Sequence, residues 1–196
     1  EGLELSCFDT ALDQLLRLDS AAESAREGLK EFLEINEFDP HFLHIAEKEV
    51  YHTFSEDIPV FAMEEVQEVL SELSYEHKLA IVSKGEEVQQ KFKLKKAGID
   101  TSFFCKVVVL PNGAKKEAYR SLAEEWGFSP EEVIVCGDRV SLDLSPAKEL
   151  GFWTVHIKQG RGLRSSGREG DVDFSITKIS EIKKVLLDIS NRTLIG

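Results

Sequence analysis

Several kinds of residue and segment are scarce in this sequence, and each shortage excludes a class of protein. The 3 cysteines are an odd number at no spacing typical of metal ligands, so neither a disulfide framework nor a cysteine-based metal site is expected. No apolar run approaches the roughly twenty residues of a membrane span, and no signal-peptide pattern opens the chain. The only methionine is Met63, so the sequence does not begin with an initiator methionine. We therefore expect a soluble cytoplasmic protein, and we expect these residues to be a fragment of it.

Positive charge is also scarce. The chain has 24 lysines and arginines against 36 aspartates and glutamates, which gives a formal net charge of −12. Such a chain repels phosphate backbones, and no basic stripe is dense enough to reverse this locally, so no nucleic-acid partner is expected. Cys105 and Cys136 lie in apolar runs, and we expect all three cysteines, including Cys7, to be buried thiols in a reducing compartment.

The first part of the chain has the periodicity of helices. Apolar residues recur at helical spacing from residue 3 to about residue 54, which predicts three amphipathic helices without a strand between them. Ser20 with Glu23 resembles a capping box, and Asp39 before Pro40 is typical of a helix start. We predict a small helical domain over residues 1–58.

After Pro59 the pattern alternates between short apolar runs and helical segments. The runs predict strands at 78–83, 105–110, 132–136, 152–157 and 172–176, with helices at 63–73, 86–97, 115–126, 142–150 and 179–189. Apolar strands that alternate with helices imply a parallel sheet covered on both faces, which is a doubly wound α/β core over residues 59–196. Residues 159–170, with four glycines and three arginines, predict a long flexible loop.

Two of the predicted strands are followed by residues that could bind an anion or a metal ion. In an open parallel sheet, ligands bind at the carboxyl ends of the strands. The first apolar run ends in Ser83, Lys84 and Gly85, where a hydroxyl and backbone N–H groups at a helix start favour an anion. A later run is followed by Asp138 and Asp143, and paired carboxylates are what a hard cation such as Mg²⁺ requires.

A lysine pair lies between these segments, and each feature has a simpler explanation. Lys115 and Lys116 begin a helix, where an ammonium group could neutralise a phosphate. The simpler explanation is that both are solvated residues of the first turn, but positive charges at a helix start oppose the helix dipole, which counts against it. Ser83 could be a plain N-cap, and Asp138 with Asp143 a turn and a helix cap. Their order on one α/β pattern favours a site.

These segments resemble the second, third and fourth motifs of the haloacid dehalogenase-like (HAD-like) hydrolases. The similar features are the strand that ends in Ser83, the lysine early in a later helix, and the strand followed by Gly-Asp with a second aspartate five residues on. The most specific match is VIVCGDR at 133–139, followed after Asp143 by AKELG at 147–151. The resemblance covers about residues 59–160, and the preceding helices resemble the helical cap of many members.

One part of the family pattern is absent. Members carry a first motif, Asp-x-Asp after a central strand, whose first aspartate attacks phosphorus and whose second acts as acid and base. The segment most similar to this motif begins at Phe8 and Asp9, but Ala11 occupies the position of the second carboxylate. We expect the first strand and its motif to lie upstream of residue 1, and we expect residues 1–196 alone to be inactive.

The resemblance implies a Mg²⁺-dependent phosphatase that acts on a small phosphorylated metabolite through an aspartyl-phosphate intermediate. Ser83, Lys84, Gly85 and Lys115 would hold the phosphoryl group, with Lys115 preferred over Lys116 from its offset to Tyr119.

The same resemblance assigns the metal ligands and leaves one alternative. Asp138 would bind Mg²⁺ directly, and Asp143 would bind through water or orient its neighbours, while the cap closes over the site. The alternative is a catalytically inactive descendant that binds a phosphorylated ligand or a regulatory partner. The sequence does not indicate the substrate or the oligomeric state.

Overall fold

The structure of the chain is a computed structural model, which describes residues 5–22, 24–52, 60–111, 113 and 115–195. The chain divides into two compact units, Glu1–Asp57 and Ile58–Gly196. None of the helices in the described ranges combines the length and the apolar character of a membrane span.

The first unit contains the predicted three helices. They are α1 (Leu5–Ala21), α2 (Ala25–Ile35) and α3 (His41–His52). Helix α2 buries Gly28, Phe32 and Leu33. A Cβ on Gly28 would lie 2.7 Å from the Cα of Asp19, so this glycine permits a close approach of α1 and α2.

The helix starts follow from local capping. Asp39 accepts a hydrogen bond from the His41 N–H at 2.8 Å, as predicted for the start of α3. The first two helices are separated close to the predicted position, but the capping box predicted at Ser20 is wrong because α1 continues to Ala21. Ser24 caps α2 instead and accepts a hydrogen bond from the Glu27 N–H at 3.2 Å, while Glu23 lies outside the described residues.

The second unit alternates helices and strands, which confirms the predicted α/β class. Its elements are α4 (Val66–Glu76), β1 (Ala80–Lys84), α5 (Glu87–Lys96), β2 (Lys106–Leu110), α6 (Lys115–Trp126), β3 (Ile134–Gly137), α7 (Ser145–Lys148), β4 (Trp153–Ile157), β5 (Phe174–Ile176) and α8 (Ile182–Ile195). The three strand pairs among the described residues are all parallel. The described strands form two sheets, with the orders β1-β2 and β3-β4-β5.

Two apolar clusters cover the strands. One packs β4 and β5 against α4 and α8, and its buried members are Val69, Val155, Ile157, Ile176, Ile182, Val185 and Ile189. The other packs α6 against α7 and the start of β4, with Tyr119, Ala123, Ala147 and Phe152 buried. Residues on both faces of the strands are therefore covered, as expected for a doubly wound core.

The helix predicted at 142–150 has a different form. A π-helical turn, Val140–Leu144, comes first, and α7 begins only at Ser145. The turn is wide because the Ser145 N–H donates to the Val140 carbonyl, five residues earlier in the chain.

The prediction of three buried thiols is wrong. Cys7, Cys105 and Cys136 are all exposed, and all are free cysteines. Cys136 lies on β3 but lines a cavity rather than the apolar core. An apolar run therefore predicted the strand but not what lies beside it.

Candidate active site

A cavity of about 420 Å³ brings four of the predicted site residues together. It lies between β1 and β3, and Ser83, Lys115, Asp138 and Asp143 all contribute to its lining. Ser83 lies on β1, Lys115 begins α6, and the two aspartates follow β3. The side chains converge because the carboxyl ends of parallel strands meet at one edge of the core.

Lys115 points into the cavity and Lys116 does not. The Lys115 Nζ lies 2.5 Å from an Asp143 oxygen, with only 13% and 10% of the two side chains exposed. Lys116 forms an ion pair with Glu149 at 2.8 Å and is more exposed. Lys115 shares a helix face with Tyr119, which is buried and lines the same cavity, because residues four apart lie on one side of a helix.

The Asp143 carboxylate is held by two donors. One oxygen accepts a hydrogen bond from Lys115, and the other accepts one from the Arg139 N–H at 3.0 Å. The π-helical turn brings the carboxylate back towards the end of β3. A Cβ on Gly137 would lie 2.6 Å from the Asp143 Cβ, so only glycine fits at this position without displacing the aspartate.

The electrostatics of the site favour a cation. Burial raises the pKa of Asp138, and the charge of Asp143 raises it further, against weaker lowering effects that include Arg139 and Lys115. Burial, followed by the charge of Asp143, also raises the pKa of Tyr119. Excess negative charge in a partly buried cavity is stabilised by a bound cation.

The two carboxylates fit part of a Mg²⁺ site. Mg²⁺ is usually bound by one or two carboxylates together with waters and substrate phosphate oxygens. Asp138 and Asp143 supply oxygen donors of this kind, although both Asp143 oxygens already accept hydrogen bonds. Within the described ranges, no three residues of the types histidine, cysteine, aspartate and glutamate form a cluster that could hold a metal.

Lys84 and Gly85 do not line the cavity. Strand β1 extends to Lys84, whose exposed side chain packs against Gly113. The Gly85 N–H donates to the Leu110 carbonyl at 3.0 Å, so it continues the pairing with β2 and is not free for an anion. The structure therefore does not bring these two predicted phosphate ligands to Ser83 and Lys115.

Strand β4 and the segment after it support the peptide that carries Asp138, and the sequence did not reveal this support. The His156 Nε2 lies 3.2 Å from the Asp138 carbonyl oxygen. A Cβ on Gly162 would lie 3.2 Å from the Asp138 Cβ and 2.3 Å from the Ile157 carbonyl oxygen. The Val140 N–H donates to the Ser165 hydroxyl at 2.8 Å. The glycine-rich composition of this loop was the only signal, and it indicated flexibility rather than contact.

A buried carboxylate fixes the end of the same loop. Asp171 is buried and accepts hydrogen bonds from the Ser145 hydroxyl at 2.5 Å and the Arg168 N–H at 3.0 Å. The hydrogen bond from Ser145 is the main reason that the pKa of Asp171 is lowered. Nothing in the sequence singled out Asp171 or Ser145.

A family model and several named relatives match the chain. The model of the haloacid dehalogenase-like hydrolases matches residues 8–151. A protein named glyceraldehyde 3-phosphate phosphatase from Methanocaldococcus jannaschii is 30% identical over 115 residues, which are 57% of this chain and 50% of the relative. A protein of the same name from Methanopyrus kandleri is 32% identical over 119 residues, or 58% and 51% of the two chains. The chain thus spans about half the length of these relatives.

Solved structures share the fold. The HAD-hydrolase YfnB from Bacillus subtilis, whose crystal structure contains magnesium, has a TM-score of 0.65 at 16% identity, covering 95% of this chain and 85% of its own. A predicted phosphoglycolate phosphatase from Haemophilus somnus also has a TM-score of 0.65 at 16% identity, covering 92% and 89%. Since the family model matches most of its residues, this chain belongs to the haloacid dehalogenase-like hydrolases.

Proposed function

We propose that this chain is the cap and most of the core of a Mg²⁺-dependent phosphatase that acts on a small phosphomonoester. Residues 1–58 would form the cap and residues 59–196 the core. The observation that carries the proposal is the convergence of Ser83, Lys115, Asp138 and Asp143 on one cavity, with Lys115 and Asp143 paired there. The relatives named as phosphatases support the same reaction class.

The proposed reaction is phosphoryl transfer in two steps. An aspartate carboxylate attacks phosphorus, the bond to the leaving oxygen breaks, and an aspartyl-phosphate forms; water then cleaves it to free phosphate. We expect this nucleophile from the family's first motif, an Asp-x-Asp pair directly after an apolar strand, and no such pair follows an apolar strand in residues 1–196.

The residues of this chain would bind and orient the phosphoryl group. The Ser83 hydroxyl would donate to a phosphoryl oxygen, and the Lys115 ammonium, held by Asp143, would balance the charge of phosphate and nucleophile. Bound Mg²⁺ would neutralise charge on the phosphoryl oxygens. Asp138 would hold it directly, and Asp143 would act through water or by orienting Lys115.

The relatives' name suggests the first substrate to test. Glyceraldehyde 3-phosphate is a small phosphomonoester, and it fits the class of phosphorylated metabolite that the sequence predicts. We propose a cytoplasmic location, where such metabolites occur.

The experiment measures phosphate release by the longest chain that the gene encodes, with Mg²⁺ and a panel of phosphomonoesters that includes glyceraldehyde 3-phosphate. Asp138→Asn and Lys115→Ala are each expected to lower kcat by about a hundredfold or more, since each removes charge that acts on the transferring group. Lys116→Ala is the matched control, because Lys116 contacts Glu149 outside the cavity, and it should stay within about twofold.

Two results would contradict the proposal. Near-normal turnover by Asp138→Asn would refute the role of Asp138, and turnover by residues 1–196 alone would show that the nucleophile is misassigned. A full-length sequence without an Asp-x-Asp pair directly after an apolar strand, together with no turnover, would favour an inactive protein that binds a phosphorylated ligand.

A further inference from the structure

Val140 is enclosed by a loop that is distant in the chain. Residues 165–171 form this loop, which we call the clamp loop. Val140 begins the π-helical turn that carries Asp143, and only 3% of it is exposed. Its N–H donates to the Ser165 hydroxyl at 2.8 Å. Its side chain packs on Gly167, where a Cβ would lie 2.3 Å from the Val140 Cγ1. The clamp loop therefore contacts both the backbone and the side chain of this residue.

The Val140 carbonyl is held from the other end of the turn. It accepts a hydrogen bond from the Ser145 N–H, and the Ser145 hydroxyl lies 3.1 Å from it. The same hydroxyl lies 2.5 Å from an Asp171 oxygen. A hydroxyl can donate only one hydrogen bond at a time, and a carboxylate is the stronger acceptor, so it donates to Asp171. Asp171 thus fixes the residue at which the π-helical turn ends.

Ion pairs attach the clamp loop at a second place. The Arg168 guanidinium lies 2.8 Å from an oxygen of Glu149, directly after α7, and Glu149 also pairs with Lys116. Most of the Arg168 side chain is exposed, and exposed ion pairs contribute little to stability. The buried contacts of Val140 and Asp171 are therefore the ones that can hold the turn.

The clamped peptide is also the one that binds the backbone of Asp143. The Val140 N–H and the Arg139 carbonyl belong to one planar peptide group. Ser165 accepts from one end of this group, and at the other end the Arg139 carbonyl accepts from the Asp143 N–H at 2.7 Å. The Arg139 N–H in turn donates to an Asp143 oxygen at 3.0 Å, and the other oxygen contacts Lys115. A rotation of this peptide would therefore displace the Asp143 carboxylate.

We propose that Ser165, Gly167 and Asp171 are positioning residues, which fix the peptide between residues 139 and 140 and thereby hold the Asp143 carboxylate against Lys115. The catalytic consequence rests on the proposed function, in which Asp143 orients Lys115 or acts on Mg²⁺ through water. The positioning itself does not depend on that function.

The experiment uses the backbone amide of Arg139 as a reporter, because its N–H donates to the Asp143 carboxylate. Amide hydrogen exchange is measured by NMR on the 196-residue chain. The φ angle of Gly167 lies outside the left-handed region, so alanine fits its backbone and only the added methyl group would act on Val140. Gly167→Ala should accelerate exchange at Arg139 by about tenfold or more, the scale of one hydrogen bond to a charged acceptor.

A second variant removes a contact without adding volume. Ser165→Ala deletes the acceptor of the Val140 N–H, and it should accelerate exchange at Arg139 by about threefold or more. Ser165→Thr keeps a hydroxyl and should restore the slow exchange. Ser166→Ala is the matched control, because Ser166 is exposed in the same loop, and it should stay within about twofold.

A double variant separates positioning from a general loss of stability. Val140→Ala combined with Gly167→Ala removes the Cγ1 that the new methyl group would meet at 2.3 Å, so exchange at Arg139 should become slower than in Gly167→Ala alone. A general loss of stability predicts the reverse, because Val140→Ala by itself deletes buried methyl groups.

The kinetic test uses the longest chain that the gene encodes, with Mg²⁺ and a phosphomonoester that the wild type hydrolyses. Gly167→Ala should lower kcat by about tenfold, the scale of residues that orient a metal ligand, and leave KM within about threefold. A wild-type chain without turnover would refute the proposed function alone, because the exchange measurement needs no turnover.

Three outcomes would overturn the proposal. Unchanged exchange at Arg139 in both Gly167→Ala and Ser165→Ala would show that the clamp loop does not hold the Asp143 carboxylate. An equal effect of Ser166→Ala would indicate a disturbance of the loop in general. Faster exchange in the double variant than in Gly167→Ala would indicate a loss of stability instead of positioning.

Discussion

Strands β4 and β1 have similar lengths and apolar centres, but their burial differs. Four of the five residues of β4 are buried, whereas β1 has none in that class. Strand β4 has a neighbour on each side, β3 and β5, while β1 pairs with β2 and faces the cavity between β1 and β3 with its other edge. The difference shows that a strand's burial depends on its neighbours as much as on its own composition.

The largest expected effect tests this comparison with one residue type in both strands. Val155 on β4 is completely buried, and Val82 on β1 is partly buried and lines the cavity between β1 and β3. Val155→Ala should lower the free energy of unfolding by about 2–3 kcal/mol, and Val82→Ala by about 1 kcal/mol or less, because less apolar area is lost. Urea denaturation of the 196-residue chain measures both. Equal losses would show that the two strands contribute alike.

A second prediction extends the comparison to buried carboxylates. Asp171, beside the three-stranded sheet, has its pKa lowered, mainly by the Ser145 hydrogen bond, whereas burial raises the pKa of Asp138 at the cavity. Asp171→Asn should cost about 2 kcal/mol at pH 7, the scale of hydrogen bonds to a charged acceptor. Glu169→Gln in the same loop is exposed and should stay within about 0.5 kcal/mol.

The pH dependence of the Asp171 effect has a definite sign. A carboxylate whose pKa is lower in the folded state stabilises the fold above its unfolded pKa, and this stabilisation is lost as the pH falls through the folded pKa. The difference between wild type and Asp171→Asn should therefore be constant from pH 7 to pH 5 and shrink below about pH 4. A difference that persists unchanged at pH 3 would contradict the charge-based explanation.

The smallest expected effect is an increase in the free energy of unfolding, whereas the preceding variants lower it. A raised pKa means that the Asp138 carboxylate destabilises the fold at pH values above its folded pKa, an effect absent below its unfolded pKa. Asp138→Asn should raise the free energy of unfolding by about 0.5 kcal/mol at pH 7, a small value because the group is partly solvated, and the difference should disappear near pH 3. A loss of stability at pH 7 would show that the carboxylate is held by favourable contacts.

Local sequence patterns predicted several features of the site well. Helix α6 has the predicted bounds, and the offset from Lys115 to Tyr119 identified the lysine that lines the cavity, because both depend on helix periodicity. The prediction for Gly85 failed for a non-local reason. Its N–H bonds to Leu110 on β2, and a single segment does not reveal which partner a backbone group will find.

Interactions between segments that are distant in the chain could not be predicted from the sequence. The hydrogen bond that holds buried Asp171 comes from Ser145, 26 residues away in the chain, and the exposure of Cys136 depends on the cavity beside β3.

The sequence by itself determined the alternation of helices and strands, the family motifs and the order of the candidate site residues, because periodicity and motif spacing are local properties. The tertiary structure alone decided that Lys115 meets Asp143, that β4 and the loop after it support Asp138, and that the described strands form two sheets with a cavity between them. These features depend on which strands become neighbours, and that choice is made by packing and hydrogen bonding across the whole core.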